Sequence, residues 1–157
     1  MRAIPTAPVL GLIHEFEQGP DGGCAYQPYQ DPAGLWTIGW GHRLPGPLAP
    51  GAAWTAQTCD AQAIEDVTTA ASGVSDSLGD SVDILTDGQY AALIDFAFNL
   101  GVGAFSGSTL RHMIVVGAFH LVPAQFMLWV HGRVNGVEMV LPGLVRRRTA
   151  EVQVWNS

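Results

Sequence analysis

Apolar residues recur every three or four positions near the start of the chain, between residues 7 and 18. The positions concerned are Val9, Leu12, Ile13 and Phe16. Because residues at this spacing lie on one face of a helix, the pattern predicts an amphipathic α-helix. The run Gly19-Pro20-Asp21-Gly22-Gly23 then predicts its end, since glycine and proline interrupt regular structure.

Residues 24–42 have the composition of a small β-sheet. The stretch from Trp36 to His42 is rich in β-branched and aromatic residues, which favour strands. Its glycines alternate with bulky residues, which indicates that the backbone passes close to another strand or to a ligand. The preceding Pro32-Ala33-Gly34 is typical of a turn.

Helical patterns dominate the rest of the chain. Residues 55–78 keep apolar positions at helical spacing over a length that could bridge two lobes. Thr86 and Gln89 form a capping box at the start of an almost wholly apolar helix, residues 89–100, of the kind buried inside a lobe. Further helices are predicted at 108–116, at 119–130 with a disturbance at Pro123, and at 144–155. The fold class is therefore predicted as α+β, mainly α, with sheet and helices segregated.

Composition and charge narrow the range of functions. The chain has 157 residues, 48% of them hydrophobic, which predicts one folded globular domain. Its net charge of −7 argues against a nucleic-acid-binding protein, because an acidic surface gains nothing from counterion release. The adjacent arginines 146–148 could form a basic surface patch facing an anionic polymer, or a solvated helix face with one arginine in an internal ion pair.

Other features bound the location and chemistry of the chain. Cys24 and Cys59 lack metal-type or redox-type spacing, so we predict free thiols, with a single bridge as the alternative. The N-terminal segment lacks signal-peptide character and the apolar run 7–13 is too short for a membrane span, so we expect synthesis in the cytoplasm without membrane insertion. The histidines show no metal-ligand spacing, and we predict neither a metal site nor a cofactor.

Two carboxylates and a hydroxyl are the candidates for chemistry: Glu17 at a helix end, Asp31 at a turn and Thr37 in a strand. Cleavage of a glycosidic bond needs one carboxylic acid to protonate the leaving oxygen and a second carboxylate to activate water or attack. A carboxyl group among apolar neighbours can keep its proton at neutral pH. Each residue also has an ordinary structural explanation, and Glu15 is an alternative to Glu17 as the acid.

Several motifs of the chain, taken together, resemble those of one enzyme family. The first group is Glu17 with the nearby Gly19, Tyr29-x-Asp31, and Gly34-x-x-Thr37-Ile38-Gly39-x-Gly41-His42. The second is Phe96-x-Phe98-Asn99-x-Gly101, Ala104-Phe105-x-x-Ser108-Thr109-Leu110, Trp129, and Gly143-Leu144-x-x-Arg147-Arg148-x-x-Glu151. These motifs cover most of the chain and resemble the phage-type lysozymes, the endolysins that cut bacterial peptidoglycan.

The resemblance implies a lysozyme-like fold whose active cleft lies between two lobes. A small N-terminal β-containing lobe would span about residues 14–54 and a C-terminal helical lobe about 79–157, with the first helix packing on the latter. A long helix at about 55–78 would join them. The implied reaction is hydrolysis of the β-1,4 bond between N-acetylmuramic acid and N-acetylglucosamine, for lysis of the host cell.

The family's residue roles can be carried over one by one. Glu17 is implied as the acid, Asp31 as base or electrostatic partner, and Thr37 as the residue that positions water. The residues implied to bind substrate are Arg43, Phe98 and Ser108. His42 is implied to have a structural role. The implied partners are peptidoglycan glycan strands and a holin-type pore that releases a monomeric enzyme from the host cytoplasm to the periplasmic wall.

The chain departs from the family pattern in two respects. The interval from Glu17 to Asp31 is longer than in compact members, and the strongly acidic charge is unusual for enzymes of an anionic wall. These departures bear on host range and wall affinity more than on the chemistry. The alternative functions are a lytic transglycosylase, against which the presence of Asp31 and Thr37 argues, and a catalytically silent wall-binding protein on the same fold.

Overall fold

The computed structural model describes residues 2–31 and 33–157. Its helices are α1 (Thr6–Phe16), α2 (Ala56–Leu78), α3 (Asp87–Leu100), α4 (Val102–Ser106), α5 (Thr109–Val115), α6 (Val122–Phe126) and α7 (Pro142–Trp155). Its strands are β1 (Ala25–Gln30), β2 (Trp36–Gly39), β3 (His42–Arg43), β4 (His131–Val134) and β5 (Val137–Val140). Short 3-10 turns occur at Gly79–Val82 and Phe119–Leu121. The predicted α+β class, mainly α, is confirmed.

The chain divides into two compact units. Unit 1 combines the N-terminal residues up to Leu12 with Ala70–Ser157, and unit 2 is Ile13–Thr69. Both boundaries fall inside helices, so α1 and α2 each contribute residues to both units. Among the described residues, none of the helices combines the length and apolar character needed to span a bilayer.

Unit 2 is built on an antiparallel sheet in the order β1-β2-β3. Ile38 in β2 and Ile13 in α1 are fully buried in its interior, together with Cys59 and Ala63 from α2. The prediction of a small sheet between residues 24 and 42 is confirmed, and Ala33 and Gly34 lie in the turn between β1 and β2 as expected, whereas Pro32 of the predicted turn lies outside the described residues.

Unit 1 is organised around α3, whose residues from Tyr90 to Ala97 are buried as predicted. The predicted capping box is present, with the Thr86 hydroxyl accepting from the Gln89 N–H and the Gln89 side chain accepting from the Thr86 N–H. The Phe96 ring makes edge-to-face contacts with three aromatic rings, those of Phe105, Phe126 and Trp129. These contacts pack the shorter helices of unit 1 around α3.

Two adjacent arginines are buried inside unit 1. Arg147 donates from Nε and Nη2 to the two carboxylate oxygens of Asp95, at 2.9 and 2.8 Å. Arg148 donates to Asn99 and Glu151, at 2.8 and 2.7 Å. Burial lowers the pKa of Arg148, and burial together with the negative charge of Asp95 raises the pKa of Glu151 well above its ordinary value. Of the two alternatives for these arginines, the basic surface patch is wrong for Arg147 and Arg148, which are buried, and the internal ion pair is present but involves two arginines where one was expected.

The segment after α5 differs from the predicted helix at 119–130. The helix α6 covers only Val122–Phe126, and Pro123 lies in its first turn, where the missing N–H of proline costs nothing. The hairpin β4-β5 that follows was not predicted, although Asn135-Gly136 at its tip is a strong hairpin signal. Both turn residues have positive φ, 50° and 82°, as a type I′ turn requires.

Cys24 and Cys59 form a disulfide, so the prediction of free thiols is wrong. The cysteines are 35 residues apart in sequence, yet their Cα atoms are 6.6 Å apart. Close to the bridge, Gly39 of β2 makes room for Trp54, because a Cβ at residue 39 would lie 2.9 Å from the Trp54 ring. Sequence spacing could not show that the start of α2 packs against the sheet.

Replacing both cysteines tests how much the bridge stabilises the chain. We expect Cys24→Ser/Cys59→Ser to lower the free energy of unfolding by about 3–4 kcal/mol, since the bridge restricts the unfolded chain across a long loop. Urea unfolding followed by tryptophan fluorescence measures this loss. The reduced wild-type chain is the control and should unfold at the same urea concentration as the variant; equal midpoints for oxidised chain and variant would contradict the prediction.

Candidate active site

The Glu17 side chain lies at the end of α1 against the turn between β2 and β3. Its backbone N–H donates to the Ile13 carbonyl at 2.8 Å, which continues the helical bonding one residue beyond Phe16. A Cβ added to Gly41 would lie 2.9 Å from the Glu17 Cδ and 3.2 Å from its Cγ. Gly41 also has φ +76°, a conformation that disfavours other residues. The absence of a side chain at residue 41 thus makes room for the Glu17 carboxyl group.

Asp31 organises the hairpin between β1 and β2. Its Oδ1 accepts from the backbone N–H groups of Ala33 and Leu35, both at 2.9 Å. Its own N–H donates to the Leu35 carbonyl at 2.9 Å, and its carbonyl accepts from the Gly34 N–H at 2.8 Å. Asp31 therefore stabilises the turn, and the same hydrogen bonds hold its carboxylate in a fixed orientation.

Thr37 lies in the centre of a row of side chains across the sheet. The register pairs it with Tyr29 on β1 and with Arg43 on β3. Because directly opposed residues of antiparallel strands point to the same face, these three side chains share one face of the sheet. Thr37 is only 4% exposed, and its hydroxyl donates to the Leu35 carbonyl at 3.2 Å.

Tyr29 is the residue of this site to which sequence reasoning gave no role. Burial raises the pKa of its hydroxyl, and the negative charges of Glu17 and then Asp31 raise that pKa further. Both candidate carboxylates therefore lie close enough to act on one phenol group. The signal in the sequence was Tyr29-x-Asp31, because Tyr29 lies near the end of β1 and Asp31 follows directly after that strand.

His42 has the structural role that was predicted for it. Its Nδ1 lies 2.8 Å from the Asp66 Oδ2, and its ring centroid is 5.6 Å from that of Trp54. Gln62 donates to the other Asp66 oxygen at 3.1 Å. These contacts fix β3 to the first half of α2.

The residues predicted to bind substrate belong to different parts of the chain. Arg43 is exposed on β3 in unit 2, whereas Phe98 and Ser108 belong to unit 1. The Ser108 hydroxyl accepts from the Arg111 N–H at 3.0 Å and donates to the Phe105 carbonyl at 2.6 Å. Capping of α5 therefore accounts for this serine, and a role for any of the three in substrate binding stays a prediction.

Comparisons with known proteins show to which family the chain belongs. The family model described as Phage lysozyme matches residues 20–151. An endolysin of Acyrthosiphon pisum secondary endosymbiont phage 1 is 36% identical over 149 residues, which cover 94% of each chain. The chain belongs to the phage lysozyme family. It is thus a glycoside hydrolase of the peptidoglycan-degrading endolysin type.

Two further proteins agree with this family. The SAR-endolysin of Escherichia phage Mu is 34% identical over 133 residues, which cover 84% of this chain and 72% of the relative. The muramidase domain of SpmX from Asticaccaulis excentricus has the same fold, with a TM-score of 0.83 and 30% identity over 100% of this chain and 99% of that domain. The lysozyme-like fold that was predicted is therefore confirmed.

Gly41→Ala tests whether the position of the Glu17 carboxyl matters for hydrolysis. We expect the added methyl group to displace the carboxyl and to lower the rate of peptidoglycan hydrolysis by roughly 10- to 100-fold. A turbidity assay on purified cell walls measures the rate. Gly51→Ala is the matched control, because Gly51 also has positive φ, +80°, but a Cβ there would meet no neighbouring atom. Equal rates for the two variants would contradict the prediction.

Proposed function

We propose that this lysozyme hydrolyses the β-1,4 bond between N-acetylmuramic acid and N-acetylglucosamine with Glu17, Asp31 and Thr37 as its catalytic residues. The assignment is supported by the packing of the Glu17 carboxyl against Gly41, beside the strand that pairs with Thr37, and by the way both Glu17 and Asp31 raise the pKa of Tyr29, which lies opposite Thr37. Glycoside hydrolysis requires two carboxyl groups, and both candidates belong to unit 2.

Each residue has a distinct role in the proposed reaction. The Glu17 carboxyl donates its proton to the glycosidic oxygen as the bond to the leaving sugar breaks. Asp31, oriented by two backbone N–H groups, accepts a proton from the attacking water or stabilises the positive charge that develops on the sugar. Thr37, held in the central strand, positions that water with its hydroxyl group.

The proposal extends to substrate and partners. The glycan strand of peptidoglycan is the substrate, and Arg43, Phe98 and Ser108 contact it. Residues 1–157 act as one catalytic domain and as a monomer. The enzyme is made in the host cytoplasm and reaches the periplasmic wall through a holin-type pore.

Glu17→Gln tests the identity of the acid. We expect it to lower the rate of hydrolysis by about 10²–10⁴-fold, the usual contribution of a general acid, with little change in thermal stability. Glu15→Gln is the matched control, because Glu15 is an exposed glutamate two positions away. Turbidity loss of purified cell walls gives the rates. A large loss in the Glu15 variant alone would reassign the acid.

Digestion of purified peptidoglycan in heavy-oxygen water tests the reaction itself. Hydrolysis at the proposed bond places the heavy oxygen on reducing N-acetylmuramic acid ends, which mass spectrometry detects. Anhydro ends without label would identify a lytic transglycosylase, in which Asp31 has no hydrolytic water to activate. Binding to the polymer without any product would identify a silent wall-binding protein.

A further inference from the structure

The segment between Glu17 and Asp31, which is longer than in compact family members, contains a closed loop at residues 19–23. The Gly19 N–H donates to the Gly23 carbonyl at 2.7 Å, and the Gly22 N–H donates to the Gly19 carbonyl at 3.0 Å. Gly22 and Gly23 both have positive φ, 80° and 66°, which only glycine adopts readily. The segment that departs from the compact family pattern is therefore an ordered structure built by its glycines.

This loop is fixed to the rest of unit 2 on both sides. A Cβ at Gly19 would lie 2.8 Å from the Ala25 Cβ, so the start of the loop packs directly against β1. At its end, Cys24 is joined covalently to Cys59 of α2. A loop held in this way can present a preformed surface to a ligand, which reduces the entropy lost on binding.

A cavity of about 530 Å³ lies between this loop and β1. The side chains that matter for recognition are those of Pro20, Asp21, Tyr26, Gln27, Pro28 and Tyr29. Its volume is in the range of about 300–1,000 Å³ that is usual for small-molecule pockets. The Tyr26 residue is 51% exposed although it is large and aromatic, so its ring is available for contact.

The lining of this cavity fits a neutral sugar ring. The tyrosine rings and prolines offer flat apolar surfaces for the C–H face of a pyranose, while Asp21 and Gln27 can hydrogen-bond with hydroxyl and acetamido groups. Among the described residues that line the cavity, none is cationic. Because Asp21 would repel a carboxylate, the cavity disfavours the acidic stem peptide that N-acetylmuramic acid carries.

The cavity adjoins the proposed catalytic residues. Tyr29 lines it, and Tyr29 lies directly opposite Thr37 in the sheet, with its pKa raised by the charges of Glu17 and Asp31. A glycan strand that places its scissile bond near Glu17 therefore has a neighbouring sugar within reach of the cavity. We propose that the cavity between the 19–23 loop and β1 is a subsite for an N-acetylglucosamine unit of the strand. This assignment rests on the proposed function, since it presumes the glycan as substrate.

Tyr26→Ala removes the most exposed ring of the cavity and leaves the backbone intact, where the Tyr26 carbonyl accepts from the Trp54 N–H. We expect the affinity for chitotriose, a β-1,4-linked N-acetylglucosamine trisaccharide, to fall by roughly three- to tenfold. We also expect KM on soluble glycan strands to rise by about the same factor with kcat unchanged, because the contact is equal in ground and transition states. Ile84→Ala, at a side chain that is 66% exposed in unit 1, is the control.

Titration calorimetry of the full chain with chitotriose gives the affinities, and amide shifts in NMR spectra give the location. Shifts at Gly22 and Gln27 that weaken in the Tyr26 variant support the subsite. Unchanged affinity in that variant, or displacement of chitotriose by a free stem peptide, would overturn it. Failure of the wild-type chain to release reducing ends from peptidoglycan would instead reject the proposed function. The chitotriose titration would still show whether the cavity binds N-acetylglucosamine.

Discussion

The contact between Glu17 and Gly41 is the constraint on which the site depends. The end of α1 and the turn between β2 and β3 can approach this closely only because residue 41 has no side chain. The pairing of β2 with β3 holds this turn on one side, and the hydrogen bond between His42 and Asp66 holds it on the other. A single position thus couples the placement of the proposed acid to the packing of the sheet.

The proposed base shows how one group can serve structure and chemistry together. The turn bonds to Asp31 use one carboxylate oxygen and the backbone on both sides of the hairpin. In the sequence, Asp31 has the character of an ordinary turn residue because Pro32-Ala33-Gly34 follows it. The two explanations are compatible, because a carboxylate that must not move benefits from being part of the turn that holds it.

Sequence patterns correctly predicted the elements that depend on interactions between residues close together in the chain. The capping box at Thr86, the buried helix that follows it and the strand at Thr37 all follow from residues near one another in the sequence. The sequence allowed the disulfide and an internal arginine ion pair only as alternatives, because each depends on a partner 35 or more positions away or on a helix face known only after packing. The role of Tyr29 was missed for a similar reason, since it requires the position of Glu17 relative to β1.

The disulfide makes the rigidity of unit 2 depend on the redox conditions around the protein. A reducing cytoplasm keeps cysteines as thiols, whereas the periplasm favours their oxidation. Under the proposed route from cytoplasm to wall, the chain would therefore leave the site of synthesis without the link between the 19–23 loop and α2 and acquire it only after export. The loop beside the proposed acid would then be looser in the cytoplasm, where the enzyme is made, than in the periplasm, where its substrate lies.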